Sequence, residues 1–299
     1  MYSADSGHAM FAAEREAREM AARGAWVEHV SFKPQAKVFH RFLSVEECDA
    51  LKAQAEPAMK RSTVVDSVTG EVKTDPIRTS YQTFLVRRSS EMVIKVDERI
   101  ARAVGLPWYH GEDMQVLRYG IGQQYDTHQD VGEVSSKSGA QLASSGGHRA
   151  ITCLLYFTDV EEGGETVFPI SEWADEEMKE GLAGSFSKCG SQGVAVKPRK
   201  GDMMCFWSID YMAKIDRHSL HAGCPVIKGE KWTGTKWIHQ TPFRWGGSNA
   251  KRKGSAPGSG PCEDLRDECE TWAYHGECDK NPLFMVGTEG ACNKACGKC

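Results

Sequence analysis

A chain of 299 residues, 26% charged and 40% hydrophobic, has ordinary globular composition and enough length for one large domain or two smaller ones. Its formal charge of −4 offers no basic field to a nucleic acid, and no apolar run approaches the roughly 18 residues that span a bilayer. Cysteine usage is uneven: six of eleven crowd between Cys262 and Cys299, a density that belongs to oxidising compartments. The first residues lack the layout of a secretory signal. The cysteines outweigh that absence, so the endoplasmic reticulum lumen or secretory pathway is expected, with an N-terminal targeting or anchor segment missing from the chain. Cys48, Cys153, Cys189, Cys205 and Cys224 are scattered and odd in number, so at least one is free or pairs outside this group. Cys153 and Cys205 stand in apolar runs and read as small core residues.

In chain order, Met10 to Arg23 is Ala/Glu/Arg-rich and reads as a short solvated helix. Trp26 to Phe42 alternates polar and apolar residues, as one leading strand would. Ser44-Val-Glu-Glu47 fits a capping box that starts a helix with Val45, Cys48 and Leu51 on one face. A second helix begins near Ser89 or Ser90, carries Val93, Val96, Ile100 and Val104 at 3/4 spacing, and stops at Gly105 and Pro107. Thr63 to Ser80 is polar, with Asp75-Pro-Ile-Arg-Thr-Ser80 breaking any helix, and reads as a loop. From Met114 onward, short apolar segments alternate with Gly-rich turns. Strands are expected at Met114–Tyr119, Ala150–Thr158, Gly193–Val196, Asp202–Trp207, His221–Ile227 and Trp232–Ile238. Several are apolar on both faces, as inside a two-sheet sandwich. Val131 to Gly147 and the acidic Ser171 to Gly184 read as surface inserts. No Gly-x-Gly-x-x-Gly turn leads from a strand into a helix, which disfavours a dinucleotide fold.

Chemistry concentrates in Tyr119-Gly-Ile-Gly-Gln-Gln-Tyr-Asp-Thr-His-Gln-Asp130. On an extended segment, His128 and Asp130 project to the same side. With one more imidazole they make the two-His, one-carboxylate triad that leaves positions open on a ferrous ion. His221 can supply that imidazole, and Lys231 follows it by ten residues. His218, three positions before His221 on an extended segment, faces the other way; His148 and His239 read as surface or core histidines. These segments resemble the iron- and 2-oxoglutarate-binding signatures of the prolyl 4-hydroxylase family, particularly its plant and algal type, from about Phe39 to His239.

The resemblance implies a double-stranded β-helix, or jelly roll, mainly β with flanking helices, in agreement with the many-strand pattern. It implies Fe(II) held by His128, Asp130 and His221, and 2-oxoglutarate as cosubstrate. The far carboxylate of that cosubstrate would meet Lys231, with Tyr119 and Thr166 as hydroxyl partners. L-ascorbate is the implied reductant. Tyr125, Arg149, Trp237, Glu112, Arg78 and Ser80 match positions lining a peptide groove. Aromatic faces there suit proline-rich segments in polyproline II conformation. Arg149 shares the parity of Ile151 and Cys153 and on that ground points inward towards a peptide carbonyl. On a strand from Lys231, alternation puts Trp237 on the same face. Two rivals stand beside peptidyl-proline hydroxylation: a hydroxylase of another residue such as lysine, and a jelly-roll binding protein without catalysis.

Gly246 to Pro261 reads as a flexible linker. Cys262 to Cys299 is too small for a sufficient apolar core and needs bridges to fold. Its six cysteines, with Trp272-Ala273, Gly276-Glu-Cys278 and Asn281-Pro282, resemble a ShK toxin-like (ShKT) domain. That resemblance implies the pairs Cys262–Cys299, Cys269–Cys292 and Cys278–Cys296; the residues alone leave fifteen connectivities open, with a zinc site as rival. The expected organisation is therefore an N-terminal helical extension (1–28), a dioxygenase domain (29–245), a linker (246–261) and the small disulfide-rich domain (262–299). Self-association is not legible in the sequence.

Overall fold

The computed structural model describes residues 14–62, 64–65, 72–73, 79–132, 140 and 145–243, and within the C-terminal region 269–274, 277–280, 285, 292 and 294–296. The chain divides into two compact units, Met1–Gly246 and Gly247–Cys299. Among the described residues no helix is long and apolar enough to cross a membrane.

Two β-sheets dominate the first unit. The larger joins, in order, β1 (Trp26–Phe32), β2 (Gln35–His40), β13 (Met203–Trp207), β9 (Arg149–Tyr156), β16 (Lys231–His239), β7 (Met114–Tyr119), β6 (Tyr81–Leu85) and β3 (Lys60–Arg61). The smaller joins β12 (Val194–Val196), β11 (Thr166–Phe168), β14 (His221–Gly223) and β8 (Tyr125–His128). Two further two-stranded pairs are described, β4 (Val64–Val65) with β5 (Val72–Lys73) and β10 (Glu162–Gly163) with β15 (Val226–Lys228). Within the sheets every pairing is antiparallel.

Alternation along the strands of the large sheet builds two cores. On β9 and β13, Ile151, Cys153, Leu155, Met203 and Cys205 face a helical layer, where they meet Leu51, Val93, Val96 and Ile100. The intervening Tyr156, Met204 and Phe206 face inward to Phe168, Val194 and Val196 of the small sheet. Apolar residues on both faces of these strands are thus explained by burial on both sides. The helical layer is α1 (14–22), α2 (Val45–Ala55) and α3 (Glu91–Val104). Ser44 and Glu47 form the expected reciprocal capping box at the start of α2. Ser90 caps α3, and Gly105, at φ 74°, ends it in the left-handed conformation that favours glycine.

Several expectations need correction. Trp26 to Phe42 is a hairpin, β1 and β2, because Lys33-Pro34 forms its turn. His221 to Ile227 splits into β14 and β15, which belong to different sheets, with Pro225 between them. Strands β6 and β11 went unrecognised; their β-branched and aromatic residues, Tyr81, Thr83 and Phe84 in one and Thr166, Val167 and Phe168 in the other, stand in runs of only five and three residues. The acidic insert contains a short helix, Glu176–Gly181, and its Trp173 packs beside the inner core. The stretch from 63 to 78 is described only at β4 and β5, where it is paired rather than loop. Cys153 and Cys205, read as separate core residues, are disulfide-bonded across directly paired positions of β9 and β13; Cys189 joins Cys224, and Cys48 is free and buried.

Nor is α1 merely solvated. Glu16 accepts from Arg99 Nε at 2.6 Å and pairs with Arg102, fastening α1 to α3. Arg99 also grips Glu47 with both terminal nitrogens (2.8 and 2.7 Å) and donates to the Phe42 carbonyl. Burial would raise the Glu47 carboxyl, but Arg99, the Ser44 amide and Lys95 hold it down at about 2. Arg99→Met takes from buried Glu47 its guanidinium and from buried Glu16 one of its two, and is expected to cost about 3–5 kcal/mol in urea unfolding. Glu47 is depressed in the folded state, so its stabilisation is fully present above the ordinary carboxylate range and is lost as pH falls towards about 2. The gap between wild type and variant should therefore shrink on acidification.

In the second unit, Cys269–Cys292 and Cys278–Cys296 are disulfides around buried Met285, with short helices Cys269–Tyr274 and Glu277–Lys280. These bridges exclude four of the six thiolates from a zinc site. Cys262 and Cys299 lie outside the described residues.

Candidate functional site: a His-Asp-His centre between the sheets

The strands place three donors at one point. β8 and β14 are antiparallel neighbours with His128 directly opposite His221, so both imidazoles leave the small sheet on its inner face. Asp130 follows two residues after His128, just past the end of β8. One ligand atom from each of the three lies within 4.8 Å of the others. His128 Nε2 is 3.8 Å from Asp130 Oδ1, and His221 Nε2 is 3.8 Å from Asp130 Oδ2. Among the described residues this is the one such group of His, Cys, Asp and Glu.

Tautomers follow from the partners. His128 Nδ1 contacts the Asp126 carbonyl and His221 Nδ1 the Ser219 carbonyl, both at 2.8 Å. A carbonyl only accepts, so each Nδ1 carries the proton and each Nε2 presents a lone pair to the centre. Asp130 Oδ2 accepts from Thr152 Oγ1 at 2.7 Å. Burial would raise this carboxyl, yet His221, His128 and Arg149 hold it well below the usual range, so it stays ionised. Two neutral imidazoles and one carboxylate, with the remaining sides open to a cavity, fit Fe(II). Thr152→Val is expected to weaken Mn(II) binding, read by electron paramagnetic resonance, roughly 10- to 100-fold, and Thr152→Ser to restore it.

The cavity runs between the sheets along the inner face of β16, whose Lys231, Thr233, Thr235 and Trp237 all line it. Alternation over six residues therefore places the ammonium and the indole on one wall, at opposite ends. Lys231 is buried and donates to the Gly164 carbonyl at 2.6 Å. Burial depresses its pKa to about 8, opposed by the charge of Glu165, whose carboxylate is committed to the amide and hydroxyl of Ser187. A buried cation without a bonded carboxylate is a receptor for an anion. Tyr119, directly opposite Lys231 on β7, and Thr166 line the same end. The Thr166 hydroxyl is shared with Tyr156 at 3.0 Å. The turn before it requires Gly163, at φ 75°, because a Cβ there would collide with the Pro225 carbonyl.

At the other end, Tyr125 stacks on His128 with ring centroids 3.7 Å apart, and the Arg149 guanidinium lies 3.9 Å over the Trp237 ring. Arg149 binds Glu112 through Nε and Nη2, at 2.5 and 3.0 Å, and Glu112 also meets His239 Nε2 at 2.9 Å. Burial would raise the Glu112 carboxyl, but Arg149 and His239 hold it below the ordinary range.

Strand parity with Ile151 and Cys153 is not what brings Arg149 into the site. Ile151 and Cys153 face the helices, whereas Thr152, Leu154 and Tyr156 face the cavity side. Arg149 reaches the site because the β9–β16 register slips between Ile238 and His239. Ser80 is fully buried with its hydroxyl on Ser62 (2.8 Å), not open to a groove, and Arg78 lies outside the described residues. His218 sits in a 3-10 turn, not on an extended segment, and pairs with Asp216 away from the centre. His148 is half-buried and His239 fully buried. The roles of His239, Thr152 and Tyr156 were missed. Strand parity from Leu154 could have found the last two, but nothing in the sequence distinguishes His239 from an ordinary core histidine.

Comparison with known proteins agrees with this geometry. The sequence model of the 2OG-Fe(II) oxygenase superfamily matches residues 114–239, and that of ShK domain-like segments matches 261–299. Probable prolyl 4-hydroxylase 4 of Arabidopsis thaliana is 41% identical over 276 residues, covering 91% of this chain and 88% of its own. Prolyl 4-hydroxylase 2 of the same plant is 40% identical over 276 residues with the same coverage. Among solved structures, the viral collagen prolyl hydroxylase of Paramecium Bursaria Chlorella virus-1, in a 2OG complex, aligns with a TM-score of 0.47 and 26% identity over 68% of this chain and 94% of that one. By its sequence relatives, the chain belongs to the prolyl 4-hydroxylase family of 2OG-Fe(II) oxygenases and carries a ShK domain-like segment at its C-terminus.

Proposed function

We propose that this protein hydroxylates peptidyl proline at C4 in proline-rich secretory or cell-wall-type polypeptides, consuming dioxygen and 2-oxoglutarate and releasing succinate and carbon dioxide. The observation that carries the reading is the pairing, in one cavity, of a His-Asp-His centre with a buried lysine that no carboxylate binds among the described residues. Bound Fe(II), kept reduced by L-ascorbate, supplies the oxygen chemistry.

The chain's own residues then have distinct tasks. His128 and His221 present Nε2 because their Nδ1 protons are engaged, and Asp130 is held by Thr152 and stays charged. Lys231 meets the far carboxylate of 2-oxoglutarate, and Tyr119 and Thr166 offer hydroxyls beside it. That contact restores the ammonium, which burial alone destabilises. Leu117 and Leu154 help keep water from the reacting centre. Tyr125 and Trp237 form an aromatic mouth, and the Arg149–Glu112–His239 network fixes the orientation of Trp237. A proline-rich chain is already extended and loses little entropy on docking against such faces. The disulfides in both units support folding in the secretory pathway or endoplasmic reticulum lumen.

The test is succinate release in the presence of iron, ascorbate and 2-oxoglutarate, with and without a proline-rich peptide, combined with mass spectrometry of the peptide. One oxygen gained at proline is the expected result. Gain at lysine, or no turnover with polyproline, Ser-Pro-repeat or collagen-like peptides, overturns the reading.

A further inference from the structure

The segment leading into β7 departs from the register of the large sheet at one point. On β16, Thr235 lies opposite Gln115 of β7. An unbroken ladder would then put Ile238 opposite Glu112, but Ile238 bridges Gly111 instead. One extra residue is therefore accommodated between Gly111 and Gln115, a β-bulge.

The bulge decides where Glu112 points. Met114 and Val116 face the helical core, whereas Gln115, Leu117 and Tyr119 line the cavity. Plain alternation back from β7 would send Glu112 towards the helices. The slip turns it over to the mouth, where it meets Arg149 and His239. Bulges beside active sites commonly re-aim a side chain in this way, and they break the ladder that would otherwise fix it. The ladder still gives Glu112 one bond, from its amide to the Trp237 carbonyl at 2.8 Å.

Arg87, two residues past the end of β6, grips the segment on both sides of Glu112. Its Nη1 donates to the Gly111 carbonyl at 2.9 Å. Its amide donates to Asp113 Oδ1 at 2.9 Å, and its Nε lies 3.4 Å from the same oxygen. The guanidinium also lies 5.3 Å over the Phe243 ring, which packs on His239 with centroids 4.6 Å apart. One side chain thus reaches the residue before Glu112, the residue after it, and the ring behind its imidazole partner.

We infer that Arg87 is a positioning residue: it braces the bulge that aims Glu112, and through Glu112 the Arg149 guanidinium over Trp237, an assignment that rests on the peptidyl-proline reading.

The test is a double-mutant cycle between Arg87→Met and Glu112→Gln on the full chain, loaded with Mn(II) for binding and iron for turnover. Arg87→Met should raise KM and the anisotropy Kd of a labelled proline-rich peptide about 10- to 100-fold, the size of effect that a small misplacement produces. Its kcat and its affinities for Mn(II) and 2-oxoglutarate should stay within a few-fold of wild type. In the Glu112→Gln background the same substitution should add about twofold or less, because the two residues act as one unit. Arg87→Lys, which keeps a cation beside Asp113, should fall between wild type and Arg87→Met, and it carries the same comparisons should the methionine variant not fold. A readout without peptide is hydrogen exchange at the Glu112 amide, expected to quicken about 10-fold or more in Arg87→Met while the amides of β9 keep their protection. Full additivity in the cycle, equal losses of peptide and 2-oxoglutarate affinity, or unchanged exchange at Glu112 overturns the inference. A wild-type protein that binds no proline-rich peptide would sink the peptidyl-proline reading instead, and the exchange comparison would still decide whether Arg87 braces Glu112.

Discussion

His221→Ala is expected to abolish peptide-coupled succinate formation and to weaken Mn(II) binding by more than about 100-fold, beyond the loss typical of residues that only support a ligand. The size of the effect follows from the geometry. Asp130 lies 3.8 Å from each imidazole Nε2, so loss of His221 leaves a two-point site, one imidazole and one buried carboxylate. His221 lies in a short strand paired on both sides, to β11 and β8, so the backbone should persist and circular dichroism should remain native. A variant that kept metal affinity and turnover would place the centre elsewhere.

Lys231→Ala should separate the cosubstrate from the metal. Mn(II) affinity is expected to stay within a few-fold of wild type, because none of the three donors touches Lys231. The dissociation constant for 2-oxoglutarate should rise roughly 100- to 1,000-fold, the equivalent of leaving a buried carboxylate without its cation at about 3–5 kcal/mol. Isothermal titration calorimetry on the Mn(II)-loaded protein reads both quantities. The pH profile adds a sign. Burial lowers the Lys231 pKa to about 8, and 2-oxoglutarate needs the protonated form. Wild-type affinity should therefore be flat below that value and weaken by about tenfold per unit above it, while the alanine variant shows no such slope. Equal affinity at neutral and alkaline pH would rule out this lysine as the anchor.

What could be read without coordinates was set by range along the chain. His128 and Asp130 share a side through an i, i+2 relation, and Lys231 and Trp237 share the inner face of β16 through six residues of alternation. Both are properties of a single extended segment. The helices were legible for the same reason, from the Ser44 box and the 3/4 spacing of Val93, Val96 and Ile100. Failures came where two segments had to be aligned. Arg149 reaches Trp237 only through a register slip against β16, and Cys153 meets Cys205 only because β9 and β13 pair in that register. His239 gains its place from Glu112, which is 127 positions away along the chain. The division of His221–Ile227 between two sheets had a local signal, Pro225, that was outvoted by the apolar run around it.

The disulfides of the first unit leave Cys48 as a lone thiol, fully buried, touching the Tyr156 carbonyl, and pushed by burial up to about 12. In the native state it cannot react at an appreciable rate with an alkylating reagent. Modification at this position should wait for the helical layer to lift from the large sheet, so iodoacetamide uptake located by peptide mapping becomes a clock for rare opening events. The same experiment sorts the openings: a ligand in the cavity between the sheets should slow only those that also take that cavity apart, and leave a lifting of the helical layer alone untouched.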